Sequence, residues 1–320
     1  MELLQYTLRK IAGGVPLILG VTLVSFVLMV YFGPDKTWEL LSKNPTPDEI
    51  AQVRAQLGYD QPFWVRYSNY LAELATLEFG YSDSTGERVT SILKRTVPIT
   101  LALIAPGFVL GIVLGIVLGL LAAWHRGGWI DKAIMGFAVV GMSISFLVVI
   151  IAFQVLFGVI LGWFPVRGWN VHDLPSYLYY VTVPTLASVF VALGYNTRFF
   201  RAVLVEEIGR DHVRTARAFG ASAAEILWKN VLMNAMIPII TRTMFSIPLV
   251  VISGSLLIES YFGIPGAGKT TYDAITSGDQ PVLKAVVGLT AVMFVAILIV
   301  NDILYKVFDP RISLGRSSLQ

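Results

Sequence analysis

The chain contains no cysteine, and only 14% of its 320 residues are charged. Without cysteine there is no disulfide, no thiolate chemistry and no cysteine-ligated metal. A soluble domain carries roughly 25% charged residues, so this chain has too little charge to coat a water-facing surface. Histidine is also scarce: His125, His172 and His212 lie far apart in segments that read as loops, which does not suggest a metal. There is no G-x-S-x-G, no H-E-x-x-H and no pair of carboxylates inside an apolar run. No catalytic residue, no metal site, no bound cofactor and no nucleic-acid partner is therefore expected.

What is abundant is apolar length. Hydrophobic residues make up 55% of the chain and the mean hydropathy is +0.70. Six spans can be read, at 11–32, 97–123, 133–162, 178–197 (with Pro184 inside), 237–262 and 283–304. Most exceed the roughly 20 apolar residues needed to cross a bilayer core. The expected fold is an all-α polytopic membrane protein with six transmembrane helices. The first span is too long for a signal-peptide core and has no small-residue cleavage site, so it reads as retained.

Lysine and arginine set the expected orientation. With the N-terminus in the cytoplasm, the inner segments hold Arg9, Lys10, Arg126, Lys132, Arg201, Arg210, Arg214, Arg217, Lys229, Lys306, Arg311 and Arg316. The short outer ones hold little beyond Arg167 and Lys269. Both termini are expected inside. The organisation reads as an inner N-terminus at 1–10, a first helix at 11–33, an outer segment at 34–96, a five-helix core at 97–305 and an inner tail at 306–320.

The outer segment carries a helix start, Thr46-Pro47-Asp48-Glu49, and a stop at Gly58. A following stretch holds Trp64, Tyr67 and Tyr70, residues that favour the membrane–water interface. It reads as a lid on the bilayer surface, with an outside partner's contact or a gate as the alternative.

Within the spans, Gly107, Gly111, Gly115 and Gly119 recur every four residues, a smooth stripe for close helix packing. Gln154 reads as a polar contact to a neighbouring helix. Glu259 is the acid well inside an apolar run; lining a pathway and reaching to interfacial water are both open readings. The run Gly263 to Thr270 satisfies G-x-x-x-x-G-K-[ST]. That phosphate-cradling pattern requires a strand before it and a soluble α/β setting. Here an apolar span precedes it, so it reads as a turn.

The inner loop at about 199–236 is the most organised polar segment. An Ala-rich helix meets a break at Gly220-Ala221, and Ser222 with Glu225 forms a capping-box signature for a second helix. Such a loop on a membrane protein reads as a docking element.

Five stretches then carry a resemblance: LGYDQPFWVRY, TVPITLALI, DHVRTARAFGAS with NAMIPII, ESYFGIPGAGK, and NDILYKVFDPRI. The chain resembles, over nearly its whole length, the dipeptide/oligopeptide permease subunits of bacterial ABC importers with the type I fold. In that family the inner loop sits in a cleft of the ATPase subunit. The general pattern there is Glu-Ala-Ala with a glycine four residues on; here Arg214-Thr215-Ala216 precedes Gly220, as in the peptide branch. The downstream segment lacks the strict spacing to a Leu-Pro pair.

The resemblance implies ATPase coupling by Arg214, Thr215, Ala216, Arg217, Ala218, Phe219, Gly220, Ala221, Ser222 and Glu225, and a pathway or outer gate at Glu259, Tyr261 and Phe262. It also implies a second homologous permease as heterodimer partner, two cytoplasmic ATPases, an extracytoplasmic binding protein, and a place in the bacterial inner membrane. Peptides are the implied cargo, with nickel or oligosaccharides as alternatives. The rivals from other classes are a secondary transporter, which calls for polar groups near the bilayer centre that are scarce here, and a membrane scaffold or enzyme.

Overall fold

The computed structural model describes residues 2–33, 35, 37, 41 and 45–308, with the backbone path alone for 2–11 and 306–308. Arg311, Arg316 and most of the expected inner tail lie outside the described residues. The helices are α1 (Glu2–Phe32), α2 (Pro47–Gln56), α3 (Phe63–Thr76), α4 (Val89–Trp124), α5 (Trp129–Ser143), α6 (Phe146–Phe153), α7 (Leu174–Ile208) and α8 (Asp211–Ala218). They continue with α9 (Ala223–Phe262), α10 (Ala267–Ser277) and α11 (Gln280–Phe308). Five are long and apolar enough to cross a membrane, and α5 with α6, bent by 97° at the break between them, makes a sixth when the pair is counted as one span.

The expected third span, 133–162, is thus broken. Ile144 and Ser145 leave the helical region, with ψ of 132° and 136°, and α6 runs on into a π-helical stretch, Gln154–Ile160. Neither glycine nor proline occupies 144–146, so no local breaker marks the bend. The fifth span differs too. The helix expected after the Gly220 break and the span expected at 237–262 are one continuous α9, with π-helical turns at Ile226–Leu232 and Val250–Gly254.

The chain forms two compact units, Met1–Arg95 with Thr270–Ala296, and Thr96–Lys269 with Ile297–Gln320. Residues 270–296 thus group with the segment that ends at Arg95. In the first unit α3 supplies the reason. Tyr70 is fully buried, stacked 5.7 Å from Phe26, and its hydroxyl donates to the Lys284 carbonyl at 2.9 Å. Tyr67 is buried as well and donates to the Leu19 carbonyl at 2.9 Å. These aromatics make a core and do not line a surface; Trp64 remains exposed. Asp279 starts α11 and accepts from the hydroxyls of Ser82 at 2.5 Å and Ser84 at 2.7 Å.

In the second unit the glycine stripe of α4 faces α7. A Cβ on Gly107, Gly111, Gly115 or Gly119 would lie 3.0, 2.8, 2.9 or 3.1 Å from the Cβ of Ser188, Ala192, Asn196 or Phe200. Four glycines four apart therefore meet four residues four apart, and the backbones close to a spacing only glycine permits. Nearer the polar end, Arg201 of α7 grips Asp131 of α5 bidentately, at 2.5 and 2.6 Å.

Candidate functional site

The loop between α7 and α9 is built from its buried side outward. Val213, Ile226, Val231 and Leu232 are buried with Phe200, Leu204 and Ala235, and Ala216 and Ala221 pack against them. This pins α8 to the base of α9. The turn then follows from Gly220, whose φ of +81° is left-handed and cheap only for glycine. Gly220 N–H donates to Arg217 O at 3.1 Å and Ala221 N–H to Ala216 O at 3.1 Å, closing the last carbonyls of α8. Ser222 accepts from the Glu225 N–H at 3.3 Å. The reciprocal half of the expected capping box is replaced: the Glu225 carboxylate pairs with Lys229 at 2.8 Å.

What this frame presents is exposed. Arg214 pairs with Asp211 at 3.5 Å, both exposed, Thr215 bonds back to the Asp211 carbonyl at 3.0 Å, and Arg217 and Ala218 face outward. Phe219 is 88% exposed at the tip. A large aromatic held open by a rigid turn, next to the exposed Arg214 and Arg217 in sequence, is an exposed apolar group of the kind that marks interaction surfaces.

Glu259 lies elsewhere in the same unit and is fully buried, which removes the reading in which it reaches to water. Its carboxylate accepts from the Thr100 hydroxyl at 2.5 Å and the Lys269 N–H at 2.7 Å, and from the Gly268 N–H. Thr100 in turn accepts from the Ala267 N–H at 2.7 Å. The glycine loop thus does cradle an anion, but that anion is the chain's own glutamate. A Cβ on Gly266 would fall on the Glu259 carboxyl group, and one on Gly268 would sit 2.6 Å from the Leu256 nitrogen. Tyr261 and Phe262, expected beside Glu259 at a gate, are tied down. The Tyr261 carbonyl accepts from Arg167 at 2.9 Å and Gln154 at 3.2 Å, and Phe262 is buried with its carbonyl on Gly168 N–H at 2.8 Å.

The same unit holds a half-open cavity of about 540 Å³. Its wall includes the α5–α6 bend at Ser143 to Phe146, the π-helical turn at Val250 and Gly254, and Arg242. Arg242 lies near the start of the span read at 237–262, and no local pattern in the sequence marks it. The bend lacked any breaker signal, and the pairing of Asp131 with Arg201 spans 70 positions, so none of these was visible locally.

Five apolar helices long enough to cross a bilayer, a bent pair that can make a sixth, and a half-open cavity among them are what a polytopic membrane subunit presents. The chain belongs to the family described as binding-protein-dependent transport system inner membrane component, matched over residues 115–314, with the N-terminal membrane component of such systems matched over 3–104. This is the permease family of ABC importers, multi-pass inner-membrane proteins that carry no ATPase site and work with ATPase and binding-protein partners.

The chain is 32% identical over 308 residues to a putative peptide transport system permease protein of Brucella abortus, covering 95% of this chain and 98% of that one. It is 32% identical over 302 residues to the dipeptide transport system permease protein DppB of Lactococcus lactis, covering 93% and 95%. It is 31% identical over 311 residues to the glutathione transport system permease protein GsiC of Salmonella choleraesuis, covering 97% and 99%. In fold it is similar to a chain of the inward-facing MetNI methionine ABC transporter, with a TM-score of 0.55 at 20% identity, over 68% of this chain and 96% of that one.

Proposed function

We propose that this chain forms one half of the translocation pathway of an ATP-driven peptide importer. Peptides are the cargo because relatives that match along nearly the full length are named for peptide, dipeptide and glutathione transport. A second, homologous permease completes the pathway, two cytoplasmic ABC ATPases hydrolyse the nucleotide, and an extracytoplasmic binding protein delivers the peptide. The chain contributes no catalytic residue and no cofactor. It lies in the bacterial inner membrane with both termini and the α8–α9 loop in the cytoplasm.

The observation that carries this reading is the open tip of the docking loop, where Phe219 stands exposed between buried anchors. Closure of the ATPases would push α8 and Gly220, and the rigid packing of α8 on α7 and α9 would pass that movement to the cavity wall as alternating access requires. Phe219→Ala removes the aromatic without touching the core. The variant is expected to insert and accumulate normally, yet to lose copurification with the ATPases and peptide uptake; retention of both would remove this loop from the docking role. Orientation has its own test, made clean by the absence of cysteine. An impermeant thiol reagent added outside should label Ser68→Cys on α3 and spare Ala224→Cys at the start of α9, both exposed positions. Reversed labelling would overturn the topology.

A further inference from the structure

Arg242 sits within the apolar span of α9, and no carboxylate among the described residues forms an ion pair with it. Its Nε is buried and makes no hydrogen bond; its guanidinium carbon rests 4.8 Å from the centre of the Phe199 ring. A charge at such a position is costly unless it is paired or faces a watery cavity. Arg242 lines the cavity of about 540 Å³, which has no acidic residue in its wall.

The cavity also gathers the irregular backbone of the span region. The 97° bend between α5 and α6 and the π-helical turn of α9 both border it. Irregular backbone at membrane depth is tolerated where it lines a cavity, and π-helical turns concentrate at functional sites. The site is positive, polar at Ser145, Asn196 and Ser246, and otherwise apolar. That chemistry suits a ligand with one carboxylate and variable side chains, and a guanidinium is the group that binds a carboxylate through two parallel hydrogen bonds.

We infer that Arg242 takes the α-carboxylate of the peptide inside this cavity and so orients it in transit. The inference rests on the peptide reading above. It assigns to this membrane subunit a direct contact with the terminus that every unblocked linear peptide carries.

The cysteine-free chain allows the test in the assembled importer. Ser246→Cys lines the cavity one helical turn from Arg242. Its labelling by anionic sulfonatoethyl and by cationic trimethylammonioethyl methanethiosulfonate is read on this chain alone, each rate normalised to that of a free thiol. The anionic reagent should be favoured about tenfold, as expected for one nearby charge in a partly screened site. Arg242→Gln should erase the preference and Arg242→Lys should keep it. Trialanine should slow the labelling, and trialanine amide should not. Equal normalised rates in the parent, a preference that survives Arg242→Gln, or equal protection by acid and amide would each overturn the inference. Equal rates are also what an acid of the second permease paired with Arg242 would produce. Uptake of labelled trialanine by the unsubstituted importer separates the two readings. Normal uptake without a charge preference sinks the inference alone. Absent uptake with an intact preference sinks the peptide reading, and the peptide contact with it.

Discussion

Two of the left-handed glycine turns that follow helices in this chain are used in opposite ways. At Gly263 the chain turns left-handed, with φ of +65°, and the loop folds back until Gly266 and Gly268 touch Glu259 and Ser255. The N–H groups of Gly268 and Lys269 are aimed inward at one buried carboxylate, and that of Ala267 at the hydroxyl of Thr100, which donates to the same carboxylate. At Gly220 the chain also turns left-handed, yet a Cβ there would meet nothing within 4 Å, and the residue before it is 88% exposed. The first turn needs glycine for conformation at Gly263 and for space at Gly266 and Gly268, the second for conformation alone. The first consumes its polar groups in holding the end of α9 together; the second keeps its side chains facing out. Matching loop residues therefore mark a structural knot in one place and, in the other, an open surface that the proposed function gives to a partner. The distinction is read from what surrounds each glycine.

Valine at each position sharpens the contrast. Gly268→Val puts atoms where Ser255 and the Leu256 backbone already are, and it pushes the Lys269 and Gly268 N–H groups off Glu259. The expected cost is about 3 kcal/mol or more, the upper range for overfilling a packed interior, and a buried carboxylate short of donors adds to it. Thermal unfolding in detergent and the amount accumulating in the membrane should both fall steeply. Gly220→Val meets open space, so its cost is the left-handed strain of about 1–2 kcal/mol. It should insert and accumulate close to normally, and lose ATPase copurification and peptide uptake because Phe219 and Arg217 are re-aimed. The contrast would break if Gly220→Val accumulated as poorly as Gly268→Val, or if it accumulated well and still transported.

The parts legible in the sequence were those encoded within one helical turn or one apolar run. Six spans followed from length and hydropathy, the stripe at Gly107 to Gly119 from its four-residue period, and the turn at Gly220 from glycine placed just before a capping serine. What escaped was contact between distant residues. The partner of Glu259 is Thr100, 159 positions away, and the hydroxyl of Tyr70 finds a carbonyl 214 positions on. Aromatic content alone therefore suggested a bilayer surface for a helix whose Tyr67 and Tyr70 are core residues. The α5–α6 bend escaped for a different reason. Ile144 and Ser145 are ordinary residues, and an unbroken apolar run hides a break that neighbouring helices impose.

The smallest effect should come from the residue that pattern matching singles out most strongly. In a nucleotide-binding loop the lysine side chain holds the terminal phosphates, and its loss ends ATP turnover. Here the part of Lys269 that reaches the anion is its backbone N–H, 2.7 Å from Glu259 Oε2, and any residue except proline supplies that donor. Lys269→Ala should leave the cradle closed and alter stability by no more than about 1 kcal/mol, the scale of a single partly exposed charge contact. ATP hydrolysis by the assembled importer should stay near the parent value, and any defect should appear only when the binding protein delivers peptide. Photolabelling with an azido-ATP analogue tests this directly. The purified chain should take up no label at 263–270, while the ATPase subunits label normally. Specific label on this chain, lost in Lys269→Ala, would mean that the loop opens to hold a phosphate, and the closed turn would then be one state of a binding site.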